Sequence, residues 1–127
     1  MTGAELFAQG LIGLGYRPMS LPGKPDHVVI DYEVESGRLK GTKLRQGFVV
    51  PSDFPLTPPS GPHISTIVYP NKSGGEHPTG GVHDSQAFQQ TLGGAWQYWS
   101  RPFQEWASTK KSVAAYMGHI WRLWDSQ

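Results

Sequence analysis

Apolar residues recur at helical intervals near both ends of the chain and at every second position in its middle. The first of these patterns predicts an N-terminal helix with a capping box formed by Thr2 and Glu5. Gly15 is suited to end this helix in a left-handed conformation. Gly10 weakens this helix in isolation, so we expect the helix to lie on a sheet. The apolar positions of this helix are Leu6, Phe7, Leu11 and Leu14.

A period of two begins at His27 and predicts a half-buried strand. Ser36-Gly37 follows as a tight turn, and residues 38–50 are predicted to return as a second long strand. The apolar residues of that second strand change parity around Gly41, which favours a bulge or a bend there. The apolar face of the first strand consists of Val28, Ile30, Tyr32 and Val34.

Prolines separate these strands from the rest of the chain. Residues 17–26 and 51–62 are rich in proline, and we predict that they are connections, because proline cannot donate to a sheet ladder. Residues 63–69 regain the character of a strand. The order of a helix, antiparallel strands and further helices predicts one α+β domain over residues 1–127.

The C-terminal part of the chain is predicted to be helical. Ser100 is an alternative nucleophile, but we interpret it as the cap of a short helix that starts at Pro102 and runs to Ala107. Ser108 or Thr109 is predicted to cap a last helix. Apolar residues at spacings of three and four give that helix a core-facing stripe, which consists of Val113, Tyr116, Met117, Ile120, Trp121 and Trp124.

The composition of the chain excludes several classes of function. The chain has 127 residues, no cysteine and a formal net charge of +1. The absence of cysteine excludes disulfides, thiolate nucleophiles and cysteine-ligated metals. The low net charge disfavours nucleic acid as a partner. No apolar run reaches membrane-spanning length and no signal peptide is recognisable, so we expect no membrane association and a cytoplasmic location.

Residues 70–86 form a long connection without periodicity, a kind of loop that is usually functional or disordered. They contain neither the glycine motifs that bind phosphate nor a compact metal-ligand spacing, so we expect no cofactor and no metal. Candidate chemistry lies at His83-Asp84-Ser85, where an imidazole beside a hydroxyl is the minimal pairing that activates a serine. In a second interpretation, Asp84 or Ser85 only caps the turn that follows.

Several segments around this loop resemble the ubiquitin-conjugating enzyme superfamily. The run Phe54-Pro55-Leu56-Thr57-Pro58-Pro59 matches the family's aromatic-Pro-x-x-Pro-Pro segment in full. His77-Pro78-Thr79 stands where the family has His-Pro-Asn, and Gly80-Gly81-Val82 leads to the nucleophile region, with Trp96 downstream. The similarity follows the chain in order over nearly its whole length, and it is strongest to divergent bacterial members.

The resemblance implies an N-terminal helix, an antiparallel four-stranded meander, a long active-site loop and C-terminal helices. It also implies that the protein accepts a ubiquitin-like protein from an activating enzyme and passes it to a target, with a JAB-type peptidase in the same pathway. Two departures affect the chemistry. Thr79 replaces the asparagine that supports the oxyanion in the family, and His83 stands at the position of the catalytic cysteine. Thioester chemistry is therefore excluded for this chain.

Three explanations fit the missing cysteine. In the first, which we favour, the modifier is carried as an oxyester on Ser85, with His83 or His77 as the base and Asp84 in the same cluster. In the second, the protein is a non-catalytic variant that binds or scaffolds a ubiquitin-like protein or its activating enzyme. In the third, Ser85 replaces a natural cysteine, since such a change turns a labile thioester into a more durable oxyester.

Overall fold

Six strands form one antiparallel sheet in the part of the chain that the structure describes. The computed structural model describes residues 2–65 and 88–126, and the backbone alone of residues 82–84. The sheet order is β1-β2-β3-β4-β6-β5. The strands are β1 (Met19–Leu21), β2 (Lys24–Glu33), β3 (Lys43–Val49), β4 (His63–Ser65), β5 (Val82–Asp84) and β6 (Gln97–Trp99). The helices are α1 (Gly3–Gly13), α2 (Gln89–Leu92) and α3 (Val113–Asp125), with a 3₁₀ turn at Trp106–Ser108.

The N-terminal helix is confirmed together with its capping box. The Thr2 hydroxyl oxygen accepts a hydrogen bond from the Glu5 backbone N–H at 3.1 Å, and the Glu5 carboxylate accepts one from the Thr2 N–H at 3.2 Å. Gly15 has φ +95°, as expected for a residue that follows the last helical turn. Phe7 is fully buried, with its ring 5.3 Å from that of Phe48 on β3. The helix therefore lies on the sheet, as predicted.

The first two long strands differ from prediction at their ends. The apolar face of β2 is buried as expected, but β3 begins at Lys43, and residues 38–41 form a turn instead of its first half. Gly41, with φ +89°, closes that turn. The change of apolar parity at Gly41 thus marks where the strand starts, because alternation has meaning only where residues are paired in a sheet.

Part of the proline-rich segment 17–26 belongs to the sheet. Strand β1 pairs with β2 through Met19↔Val29 and Ser20↔Val28, so the prediction of a connector was wrong there. Pro22 and Gly23 make the turn between the strands, with Gly23 at φ +73°. Proline followed by a glycine at positive φ is typical of a tight turn, and such a turn places the flanking residues in adjacent strands.

The first four strands are neighbours in chain order and form a meander, to which β6 and β5 add two further strands. The resemblance implied four strands in all. The extension was missed because Gln97–Trp99 is only three residues long, which is too short for a period of two to be recognised.

The last helix carries the predicted stripe towards the core, and of its six residues only Trp121 is not fully enclosed. Its cap is Ser112, whose hydroxyl oxygen accepts a hydrogen bond from the Ala115 N–H at 3.1 Å, and not Ser108 or Thr109. The short helix predicted from Pro102 is replaced by the 3₁₀ turn at Trp106–Ser108. None of the described helices is long and apolar enough to cross a membrane.

The sheet is covered on both faces. Helices α1 and α3 cover one face and enclose the main core. On the other face, the segment that enters and follows α2 contributes Phe88 and Trp96, which pack on Leu21 and Val29.

Candidate functional site

Strand β5 brings two of the four predicted site residues to the edge of the sheet. Its backbone pairs with β6, so that His83 stands opposite Tyr98 and Asp84 opposite Gln97. Ser85 and His77 lie outside the described residues, and their roles stay predictions. The residue that follows Asp84 in the chain is Ser85, so the sheet fixes the backbone on the N-terminal side of the candidate nucleophile.

Tyr98 is the central residue of a row that crosses this end of the sheet. It pairs with His83 on one side and with His63 of β4 on the other. Its ring lies 4.6 Å from the His63 imidazole, and its hydroxyl lies 2.8 Å from the hydroxyl of Ser60. Tyr98 therefore lies between β5 and two polar side chains, the His63 imidazole and the Ser60 hydroxyl. Sequence reasoning missed this role because it depends on the register of β6.

His63 is held neutral by its surroundings. It is 9% exposed, and burial, with a smaller contribution from His27, lowers the pKa of His63 to about 4. His27 itself lies 2.7 Å from the Asp26 carboxylate. A neutral imidazole can exchange a proton with a neighbouring group at pH 7, but His63 does not supply a positive charge to this end of the sheet.

Phe88 closes the outer face of the sheet next to this row. It is fully buried over Gly47, where an added Cβ would come within 2.5 Å of the phenyl ring. Its ring lies 5.1 Å from that of His27 and 5.0 Å from that of His63. Trp96 stacks on it at 5.2 Å. Trp96 is the tryptophan expected downstream of the loop, and its side chain is buried in the outer core.

Buried glutamines occupy the helix-facing side of the same strands. Gln97, opposite Asp84, accepts a hydrogen bond from the Trp99 indole at 3.3 Å. Gln46 of β3 accepts one from the Trp124 indole at 3.3 Å. Both amides are fully buried. The first of these hydrogen bonds lies within β6, and the second ties α3 to β3.

The proline segment packs as a structural unit. Phe54 is buried, with its ring 5.3 Å from Phe7 and 6.0 Å from Trp106, and the peptide bond to Pro55 is cis. The Trp106 indole donates a hydrogen bond to the Pro55 carbonyl at 3.0 Å. Leu56 projects outward and is 67% exposed. The segment therefore joins α1 to the C-terminal half and presents one apolar side chain to solvent.

Ser100 and Arg101 follow β6 directly. The Arg101 guanidinium donates a hydrogen bond to the Ser100 carbonyl at 2.8 Å, and its partial burial lowers the pKa of Arg101. The imidazole of His119 on α3 lies 2.9 Å from the Arg101 carbonyl. Since no helix starts at Pro102, Ser100 does not cap one. Its carbonyl instead takes part in the connection between the sheet and α3.

Two further kinds of site concern a metal ion and an apolar cleft. Among the side chains of residues 2–65 and 88–126, no group of three His, Asp or Glu residues is arranged to hold a metal ion. A cleft of about 330 Å³ lies between α1 and β1, at the opposite end of the sheet from β5. It is lined by apolar and small residues that include Ala4, Ala8, Met19 and Val28.

No protein-family model, curated protein or solved structure matches this chain. The pairing of the strands places a histidine and an aspartate at a sheet edge, immediately before a serine in the sequence and beside Tyr98.

Proposed function

We propose that this protein accepts a ubiquitin-like protein from an activating enzyme and carries it as an oxyester on Ser85, in the manner of a conjugating enzyme without a cysteine. The observation that carries the proposal is the pairing of β5 with β6, which sets the backbone of His83 and Asp84 at the edge of the sheet. The succession of the capped helix, the meander, the Phe54 segment and this edge strand supports it. The same succession is what the resemblance to conjugating enzymes implies.

The proposed reaction is an acyl transfer in two steps. The Ser85 oxygen attacks the carbonyl carbon of the modifier's C-terminal thioester on the activating enzyme. A C–O bond forms, the C–S bond breaks, and the serine proton passes through an imidazole to the departing thiolate. An amine of the target then attacks the carbonyl carbon of the ester, a C–N bond forms and the C–O bond to Ser85 breaks. The proton that the amine loses passes through the imidazole to the Ser85 oxygen.

The base in this scheme is His83 or His77. Serine is a weak nucleophile at its free pKa and requires such a base within hydrogen-bonding reach. Asp84 follows His83 in the strand, and successive residues of a strand face opposite sides of the sheet, so the role of Asp84 in the reaction stays a prediction. Because an alkyl ester is less reactive towards amines than a thioester, transfer also requires donors directed at the developing oxyanion.

The test is an adduct assay with the activating enzyme and ubiquitin-like protein of the same cell, and ATP. We expect a covalent adduct that resists reducing agent, is cleaved by mild base and is lost in Ser85→Ala. Ser85→Cys is the matched control, because its adduct is expected to become sensitive to reducing agent. Failure of the wild-type protein to form any adduct, while Ser85→Cys forms one, would refute the oxyester and favour a serine that replaces a natural cysteine.

A non-catalytic binding role is the second candidate, and exposed apolar side chains favour it. Ile12 is 61% exposed, Met19 51% and Leu56 67%. Such side chains can contact a partner without any nucleophile. Binding of the ubiquitin-like protein or its activating enzyme that is unchanged in Ser85→Ala, together with no adduct in the wild-type protein and in Ser85→Cys, would select this role.

A further inference from the structure

A polar cleft lies between helix α3 and the segment that follows β6. Its volume is about 240 Å³. Pockets for drug-sized ligands are larger, at about 300–1,000 Å³, so this cleft has room for a ligand of only a few heavy atoms. The residues that line it are Pro102, Phe103, Gln104 and Glu105 on one side and His119 and Arg122 of α3 on the other.

The imidazole of His119 is fixed in this cleft in one orientation and one tautomer. Its ring is stacked on that of Phe103, with the centroids 4.7 Å apart and the planes 12° apart. Its Nε2 lies 2.9 Å from the Arg101 carbonyl oxygen, which can only accept, so Nε2 carries a proton and donates it. Burial lowers the pKa of His119, so the ring is neutral at pH 7. Nδ1 is therefore left as a hydrogen-bond acceptor for a ligand.

The guanidinium of Arg122 is also held in position at the cleft. Its Cζ lies over the Phe103 ring, 6.0 Å from the centroid, which is the geometry of a cation–π contact. The same guanidinium lies alongside Gly118, with Nη1 3.6 Å from where an added Cβ would stand. Glycine at this position leaves the side of the helix open for the arginine side chain.

Opposite charges line the cleft without neutralising each other. The Glu105 carboxylate is exposed on the wall that faces α3. Within residues 2–65 and 88–126, neither this carboxylate nor the Arg122 guanidinium takes part in an ion pair or a side-chain hydrogen bond. The cleft thus presents one cation, one anion and the neutral acceptor of His119, and its lining carries no net charge.

We propose that this cleft binds a small zwitterion of the α-amino acid class, an inference that is independent of the proposed function. The carboxylate of the ligand pairs with the planar fork of Arg122. Its ammonium group donates to the Glu105 carboxylate and to Nδ1 of His119. A simple anion would leave Glu105 facing a like charge, and a simple amine would do the same to Arg122, so only a dipolar ligand satisfies both residues.

The test is an NMR titration of the full-length protein with each of the standard L-amino acids. We expect saturable shifts of the Phe103 and Gly118 amides and of the His119 imidazole with at least one small amino acid. Two analogues of the best binder provide the comparison, one without the amino group and one without the carboxylate; for alanine these are propionate and ethylamine. Each analogue is expected to bind about 10- to 100-fold more weakly.

Substitutions of the two charged residues test the same assignment from the side of the protein. Arg122→Gln and Glu105→Gln each remove one charge from an exposed side chain, and each is expected to weaken binding about 10- to 100-fold. Arg17→Gln is the matched control, because Arg17 is an exposed arginine outside the cleft. It is expected to leave the affinity unchanged.

Three outcomes would overturn the proposal. The first is the absence of saturable shifts at the cleft with any standard amino acid. The second is tighter binding in Glu105→Gln together with full affinity for the analogue without the amino group, which would make the cleft an anion site. The third is an equal loss in Arg17→Gln, which would reduce the binding to general electrostatic attraction. The adduct assay at Ser85 decides the proposed function separately from all three.

Discussion

Val113, the first residue of α3, packs directly against Gly10 of α1. A Cβ added at Gly10 would lie 2.2 Å from Cγ2 of Val113 and 2.4 Å from its Cβ. The two helices therefore approach each other at a point where only glycine fits. A glycine that weakens an isolated helix is here required for the packing of the C-terminal helix on the N-terminal one.

Gly10→Ala is expected to destabilise the protein by about 1–3 kcal/mol through overpacking, although alanine is the better helix former. Gly13→Ala is the matched control in the same helix, since nothing lies within 4 Å of its added Cβ. We expect that control to be neutral or slightly stabilising. Urea denaturation of both variants checks the pair, and equal effects would contradict the close approach.

The cap of α3 can be assigned by a second pair of substitutions. Ser112→Ala removes the acceptor of the Ala115 N–H and is expected to cost about 1 kcal/mol. Ser108→Ala, at the cap position first predicted from the sequence, is exposed and is expected to change the free energy of unfolding by less than about 0.5 kcal/mol. Thermal or chemical unfolding distinguishes the two variants. A larger loss of stability in Ser108→Ala than in Ser112→Ala would contradict the assignment of Ser112 as the cap.

His63 predicts a specific dependence of stability on pH. Its pKa is about 4 in the folded protein, against about 6.5 when unfolded. The unfolded chain therefore binds the proton first, so stability is unaffected above about pH 6.5 and falls by about 3 kcal/mol as the pH drops to 4. His63→Gln lacks this titration, whereas His27, Asp26 and Tyr98 around it are retained in both proteins.

The measurement is the free energy of unfolding of the wild-type protein and His63→Gln between pH 7 and pH 4. The wild-type value should fall more steeply than that of the variant below pH 6.5. Parallel curves over this range would contradict the buried, neutral imidazole.

The hydrogen bond from Trp106 to the proline segment gives a fourth prediction. Trp106→Phe removes the donor to the Pro55 carbonyl and is expected to cost about 1–3 kcal/mol, since a partly buried acceptor loses its partner. Trp121→Phe is the control, because the Trp121 indole donates to the Tyr16 hydroxyl on a half-buried surface. We expect a smaller loss there, and equal losses would mean that the proline segment is not held by this bond.

The sequence predicted correctly those features that depend only on residues close together in the chain. The Thr2–Glu5 capping box, the alternation along β2 and the stripe of α3 are each set by residues within one element, and all three are confirmed. Their signals are strong because side chains three, four or two positions apart share a face whatever the rest of the chain does.

Elements that depend on distant partners were missed. Strand β6 (Gln97–Trp99) is defined by its pairing with β4 and β5, which are distant in sequence. Strand β1 is defined by its pairing with β2 across the turn at Pro22 and Gly23. The position of His83 and Asp84 at the sheet edge depends on the same long-range pairing. For the site, the sequence named the residues but not Tyr98 or His63, which the pairing of β4, β6 and β5 brings into one row.

The sheet order sets a sequence of events during synthesis. Strand β6 lies between β4 and β5, yet it leaves the ribosome after both of them. Strand β5 therefore has no neighbour to pair with until residues 97–99 have emerged and docked on β4. A chain truncated before Gln97 would contain every residue of the proposed reaction centre and still lack the strand that holds two of them, so the C-terminal third is required for the site as well as for the core.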